Sequence, residues 1–122
     1  MRRTLLPVAA AMLLGLTFAA CGGDDDAASG CTPVDGKVTV GAKDSLKFDQ
    51  ESYDTDAGCV EVTYTNEGSQ AHDLLIEGVS DFKLTIGDSD TGTVDLAPGT
   101  YTIYCDLTGH RAAGMEADLI VT

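Results

Sequence analysis

Apolar and polar residues alternate along most of the chain after residue 35, which is the pattern of half-buried β-strands. The alternation is clearest at Val60, Val62 and Tyr64, and it recurs within residues 72–76, 101–105 and 115–121. Shorter apolar segments predict strands at residues 38–40, 46–48, 82–86 and 94–96, with turns at 66–68, 87–89 and 98–99. No helical period follows residue 20. Many short strands separated by turns predict an all-β fold, an antiparallel β-sandwich.

Three side chains that can bind a metal lie at five-residue intervals near the C-terminus. Cys105 offers a thiolate, His110 an imidazole and Met115 a thioether. This spacing suits one loop around one ion, and a second imidazole would complete the two-His, one-Cys and axial Met set of a blue-copper site. The chain has only two histidines, and the other, His72, shares the inward parity of Leu74 in its segment. Taken singly, each side chain has an ordinary structural role as an alternative, such as core filler for the methionine.

The segments around these residues resemble the cupredoxin family of blue copper proteins, which includes plastocyanin and azurin. Residues 96–105 resemble the family's turn and penultimate strand, and residues 109–115 resemble its copper loop. Residues 66–74 resemble the segment that carries its first histidine. The resemblance spans residues 36–122 and implies a Greek-key sandwich with one copper ion that cycles between Cu(I) and Cu(II). It also implies three equatorial ligands, His72, Cys105 and His110, and one axial ligand, Met115.

The family resemblance also predicts how the site meets its surroundings. The loop histidine of the family lies near the surface in an apolar patch where partners dock, and His110 holds that position here. The small residues Ala112 and Ala113 would keep the copper accessible, whereas Arg111 adds a positive charge beside the site or is merely solvated.

Asp73 departs from the family pattern, which commonly has Asn directly after the first histidine. An ionised carboxylate close to the metal would favour Cu(II) and lower the reduction potential. We expect Thr108 or a loop amide to be its hydrogen-bond partner.

The first twenty residues read as a secretory signal segment that is removed. Arg2 and Arg3 precede an apolar stretch, and Phe18-Ala19-Ala20-Cys21 resembles a bacterial lipobox, in which Cys21 is acylated, for example with palmitate. An ordinary signal peptide cut near Ala20 is the alternative. A retained membrane anchor is less consistent with the sequence, because the stretch is short and contains Pro7.

Composition separates the rest of the chain into a tether and one small domain. Residues 21–35 are rich in Gly, Asp and Ala and read as an acidic tether, and residues 36–122 form the copper-binding domain. The formal charge is −13, and loss of Arg2 and Arg3 would make it −15. Nucleic acid is therefore excluded as a partner. The acidic charge suits a redox partner with a basic docking face, and the alternative is that it serves solubility and repulsion from an anionic surface.

The chain contains four cysteines. With Cys21 assigned to lipid and Cys105 to metal, Cys31 and Cys59 are left to form a disulfide, which would persist in an exported protein. Two free thiols are the alternative.

The sequence therefore predicts a monomeric, lipid-anchored electron carrier of the cell envelope that exchanges electrons with a donor and an acceptor protein. An enzymatic role would need further histidines for other copper centres, and none is spare. A copper chaperone or buffer protein is the alternative function, although such proteins tend to be rich in Met and His. Zinc is the alternative metal, but the axial thioether favours copper.

Overall fold

Nine β-strands and no helix make up the part of the protein that the computed structural model describes, residues 30–122. The strands are β1 Gly36–Lys43, β2 Lys47–Phe48, β3 Ser52–Thr55, β4 Gly58–Asn66, β5 His72–Ile76, β6 Val79–Ile86, β7 Ser89–Leu96, β8 Gly99–Tyr104 and β9 Glu116–Val121. The predicted all-β sandwich is confirmed. The predicted signal segment, Cys21 and most of the tether lie outside the described residues. Within the described part, no helix is long and apolar enough to cross a membrane.

The strands form a four-stranded sheet in the order β2-β1-β4-β7 and a five-stranded sheet in the order β3-β9-β8-β5-β6. Most neighbours are antiparallel, but β1 runs parallel to β4 and β3 runs parallel to β9. Strand β3 was not predicted, because Tyr53 is the only large apolar residue in Ser-Tyr-Asp-Thr. It forms where Tyr53 can pack into the core beside Leu119 of β9.

The core lies between the inward faces of the two sheets, as the alternating pattern predicts. Val60, Val62 and Tyr64 of β4 are at most 1% exposed, and Leu74 and Leu119 of the opposite sheet belong to the same buried cluster. Burial of one large apolar side chain contributes roughly 1.5–3 kcal/mol. The core extends without a break to Cys105 and Met115, so the sequence that folds the sandwich also buries two of the predicted ligands.

The segment before β1 is attached to the four-stranded sheet. Cys31 and Cys59 form the predicted disulfide. The Asp35 amide donates to the Cys59 carbonyl at 2.8 Å, and the Cys59 amide donates to Asp35 Oδ2 at 2.8 Å. The end of the predicted tether is thus part of the folded unit.

The five-stranded sheet opens between β5 and β8. These strands pair only at Leu75 with Tyr104 and at Ile76 with Ile103, and β5 also shifts register against β6 after Leu75. The residues of β5 that precede Leu75 therefore form no ladder with the residues that follow β8. This opening is where the predicted ligands converge.

Candidate metal centre

Each predicted ligand lies at an end of a strand or in the loop that joins two strands. His72 begins β5, Cys105 directly follows β8 and Met115 directly precedes β9. These three are at most 1% exposed, whereas His110, in the loop between Cys105 and Met115, is half-buried. The Cys105 amide donates to the Met115 carbonyl at 3.2 Å, which closes the base of the loop. We call residues 105–115 the ligand loop.

Three of the predicted ligands meet through their donor atoms. His110 Nδ1 lies 3.2 Å from His72 Nδ1 and 3.5 Å from Cys105 Sγ. One possible ligand atom from each side chain lies within 4.8 Å of the others, and no other group of three His, Cys, Asp or Glu side chains in residues 30–122 does so. A thiolate with two imidazoles is a soft donor set that suits copper or zinc.

Turns give the ligand loop its shape. The His110 amide donates to the Leu107 carbonyl at 3.0 Å, and the Met115 amide donates to the His110 carbonyl at 3.1 Å. Gly109 and Gly114 have φ angles of 83° and 105°, a region that strains residues with a Cβ. The two glycines therefore allow the turns that direct His110 toward Cys105.

Burial favours the neutral forms of two donors, His72 and Cys105. It lowers the pKa of His72, with a further contribution from the nearby His110, and it raises the pKa of the Cys105 thiol. The buried His72 Nε2 has no hydrogen-bond partner in the structure, and Nδ1 is the atom that faces the other donors. A cation at these donors would stabilise the thiolate that burial disfavours. The residues present therefore fit a bound metal ion.

Asp73 spans the opening between β5 and the ligand loop. The Asp106 amide donates to Asp73 Oδ1 at 2.8 Å, so a loop amide is the partner rather than Thr108. Lys83 Nζ lies 3.3 Å from Asp73 Oδ2 and 3.4 Å from Asp106 Oδ2. Asp73 is only 2% exposed although its parity directs it away from the core, because Lys83 and Asp106 cover it. Sequence reasoning missed Lys83, which reaches Asp73 only because β6 pairs with β5.

The pKa values of the two carboxyl groups in this cluster, Asp73 and Asp106, are shifted in opposite directions. Burial raises the pKa of Asp73, but the hydrogen bonds with Asp106 and Lys83 outweigh burial, and its pKa lies below the usual value. The pKa of Asp106 is raised, chiefly by its hydrogen-bonded contact with Asp73. The member of the pair that loses its proton more readily is therefore Asp73, the one next to His72.

Asp44 braces the segment that leads into His72. Its Oδ1 accepts hydrogen bonds from the amides of Ser69 and Gln70 at 2.9 Å and 3.0 Å. The bond from the Gln70 amide is the largest cause that lowers the pKa of Asp44. No sequence signal marked this residue, because its partners lie 25 and 26 positions away.

Arg111 is neither plainly solvated nor an isolated charge. Its Nε donates to Glu116 Oε2 at 3.0 Å, and its Nη2 donates to Glu77 Oε1 at 3.3 Å. Its guanidinium carbon lies 4.2 Å from the centre of the Tyr104 ring. The positive charge that the sequence placed beside the site is thus paired with two carboxylates.

The surface of the ligand loop contains several apolar residues around His110. Ala112 and Ala113 are exposed, as is the polar Thr108. Leu107 is 37% exposed and is the one large hydrophobic side chain in residues 30–122 that is classed as exposed. Leu107 was not predicted from the sequence, although its place between Cys105 and His110 could have identified it.

Sequence comparison relates most of the chain to one family. Residues 34–122 match the model of the copper binding proteins of the plastocyanin/azurin family. Direct comparison with curated proteins finds no match.

Solved structures of blue copper proteins share the fold. Auracyanin from the photosynthetic bacterium Roseiflexus castenholzii, reduced with Na-dithionite, has a TM-score of 0.61 and 22% identity, covering 74% of this chain and 99% of that one. Auracyanin A, a "blue" copper protein from Chloroflexus aurantiacus, has a TM-score of 0.57 and 17% identity, covering 70% and 98%. The azurin Az-iso2 from Methylomonas sp. strain J has a TM-score of 0.57 and 13% identity, covering 70% and 97%.

Proposed function

Because the chain belongs to the plastocyanin/azurin family of copper-binding proteins, we propose that it carries single electrons between redox proteins outside the cytoplasm. Family membership confirms the predicted cofactor, copper, and the general class, an electron-transfer copper protein. The convergence of His72 Nδ1, Cys105 Sγ and His110 Nδ1 is the observation that carries the proposal. The proposed ligands are the predicted four, His72, Cys105, His110 and Met115.

A one-electron carrier needs ligands that move little when the metal changes charge. When bound, copper supplies the Cu(I)/Cu(II) couple. His72 and Cys105 are fixed by the strands to which they are attached, and both are buried in the core. Met115 is completely buried at the far end of the ligand loop, and in the proposed set it would supply the weak thioether ligand. This rigidity favours repeated electron exchange without rearrangement.

The surface around His110 is the proposed route for electrons. Its ring is half-buried, and three of the exposed side chains in the ligand loop, those of Leu107, Ala112 and Ala113, are apolar, whereas that of Thr108 is polar. An apolar, easily dehydrated surface allows close approach of a partner. The acidic body of the protein would steer a partner with a basic docking face toward it.

The proposed location is the cell envelope, with Cys21 lipidated and the tether carrying a monomeric domain. The Cys31–Cys59 disulfide supports this location, because disulfides persist in oxidising compartments. The basic start and apolar stretch of the first twenty residues support export.

In the proposed function, the protein transfers electrons and does not itself form or break covalent bonds. Tyr104 and Asp106 flank Cys105, where some copper enzymes place a further histidine, and both histidines of the chain are already assigned. A copper chaperone or buffer is the alternative function. The burial of Cys105 favours holding copper over passing it on.

A visible spectrum tests the proposed function. The protein without its first twenty residues is loaded with one equivalent of Cu(II) under oxidising conditions, and an intense thiolate-to-Cu(II) band is expected. A redox titration and electron exchange without copper loss should follow. A colourless protein with Cu(II) bound would refute the blue-copper site, and rapid copper transfer to an acceptor protein would favour the chaperone.

A further inference from the structure

Arg111 connects the ligand loop to three separate parts of the five-stranded sheet. It directly follows His110, and its side chain lies on the outer face of that sheet. Glu116 belongs to β9, Tyr104 to β8, and Glu77 to the turn between β5 and β6. Contacts with all three elements hold one point of the loop against the sheet.

Other hydrogen bonds of the loop tip do not provide such an attachment. Among the described residues, the backbone bonds of positions 107–113 stay within the loop, for example from the Ala113 amide to the Gly109 carbonyl at 3.1 Å, and only the Gly114 carbonyl, beside β9, accepts from a strand residue, the Glu116 amide at 2.9 Å. They set the shape of the loop but not its position. The Asp106 amide is bound to Asp73, but it lies at the base of the loop, next to Cys105. Besides the ring of His110, which faces the other donors, Arg111 is therefore the side chain that attaches the tip to the sheet.

We propose that Arg111 is a positioning residue that keeps the ligand loop closed over the metal centre and thereby slows copper release. His110 can leave the other donors only if the loop tip lifts, and lifting the tip breaks both ion pairs and the contact with Tyr104. An exposed ion pair alone contributes little. Here one planar guanidinium makes two hydrogen bonds and stacks on an aromatic ring, a combination that the ammonium of lysine does not reproduce.

This inference rests on the proposed copper site, but its effect is also measurable without metal. In the metal-free protein, the same contacts hold His110 near His72 and Cys105. Removal of the side chain should let the loop open more often, while the long ladder of β4 with β7 is unaffected. The amides of residues 109–114 would then exchange with solvent faster, and those of β4 would not.

The test compares three variants with wild type. Arg111→Met removes the charge and both hydrogen bonds but keeps an apolar stem, and Arg111→Lys keeps the charge without the planar fork. Lys37→Met is the matched control, because it removes an exposed ion pair, with Glu61 at 3.7 Å, in the four-stranded sheet. Copper-loaded protein is mixed with excess EDTA, and decay of the visible band gives the release rate. Hydrogen exchange by mass spectrometry is measured on the metal-free protein.

We expect Arg111→Met to release copper roughly tenfold faster than wild type, with the position of the visible band unchanged. Arg111→Lys should be intermediate, and Lys37→Met should match wild type. Faster exchange of residues 109–114 in the metal-free Met variant is also expected. An unchanged release rate, or unchanged exchange in the loop, overturns the proposal. If wild type shows no thiolate band, the proposed function fails instead, and hydrogen exchange still decides whether Arg111 holds the loop.

Discussion

The two sheets of this protein differ in how completely their strands are paired. In the four-stranded sheet, β4 pairs with β1 over seven residues and with β7 over eight. In the five-stranded sheet, β5 and β8 share only two pairs. The proposed ligands lie at this opening, where strand ends separate and their side chains can face one another. A complete ladder stabilises a sheet but leaves no room for an ion between its strands.

The opening is nevertheless filled by polar groups. Where a further β-ladder bond could form, the Asp106 amide donates to the side chain of Asp73. Lys83 then pairs with that buried carboxylate. A bound metal would join the same parts of the chain once more, since His72 lies on one side of the opening and Cys105 on the other. The four-stranded sheet is thus joined by long ladders and a disulfide, whereas the short β5–β8 pairing of the other sheet is supplemented by side chains, and a bound metal would add to them.

The largest effect is expected from a substitution that removes the metal centre and leaves both sheets folded. Cys105→Ser takes away the thiolate, so the intense visible band should disappear completely after copper loading. The core should stay folded, because serine replaces the fully buried thiol with a group of similar size. Visible absorption and far-ultraviolet circular dichroism measure the two outcomes. A variant that keeps the band would show that another residue supplies the thiolate-like ligand.

The reverse experiment weakens the four-stranded sheet and leaves the metal centre. Replacement of both Cys31 and Cys59 by alanine should lower the free energy of unfolding by roughly 3–4 kcal/mol in the chain-entropy model. Denaturant unfolding of the metal-free protein measures this loss. The visible band of the copper-loaded variant should not move. A shifted band would mean that strain passes from one sheet to the other and that the two regions are not independent.

A smaller effect concerns the charge at the opening. Asp73→Asn should raise the reduction potential, because an ionised carboxylate near the metal stabilises Cu(II) over Cu(I). We expect roughly a tenfold change in the Cu(I)/Cu(II) ratio at fixed potential, or about 59 mV for one electron. Lys83→Met should lower the potential by removing the compensating charge.

Glu61→Gln is the control for these potentials, since it removes a carboxylate that pairs with lysine in the four-stranded sheet. It should leave the potential unchanged. A potential that stays constant or falls in Asp73→Asn, with the spectrum preserved, would contradict the predicted tuning.

The smallest expected effects concern the surfaces of the two sheets. Reduction by a small cationic reagent should slow as salt screens the acidic protein, because the Debye length is only about 10 Å at 0.1 M ionic strength. Ala113→Asp should slow electron transfer roughly several-fold with both cationic and anionic reagents, because it places a hydrated charge beside His110. Thr39→Asp, on the exposed face of β1, is the control and should preserve the rates.

Two outcomes of the rate measurements would contradict the surface argument. If the cationic reagent shows no dependence on ionic strength, the net charge does not steer encounters. If Ala113→Asp reacts at the full rate with both reagents, electrons do not leave through the His110 surface.

Local sequence patterns predicted most of the fold. Alternation and short apolar segments together located every strand except β3, whose sequence has too few apolar residues to show either pattern. It also placed His72, Cys105 and Met115 on the inward side, and all three are buried. The Cys31–Cys59 pairing is confirmed, while the assignment of the four copper ligands stays a prediction.

The sequence by itself determined which residues alternate, which can bind copper and which family the chain resembles, because these properties depend on residue type and short spacing. Tertiary structure alone decided which distant side chains meet. Lys83 reaches Asp73 through the pairing of β5 with β6, and Arg111 meets Glu77 from 34 positions away. Such contacts depend on strand register and on the opening between β5 and β8. A two-residue period in the sequence predicts on which face of a strand each side chain lies, but it does not predict which strand lies next to it.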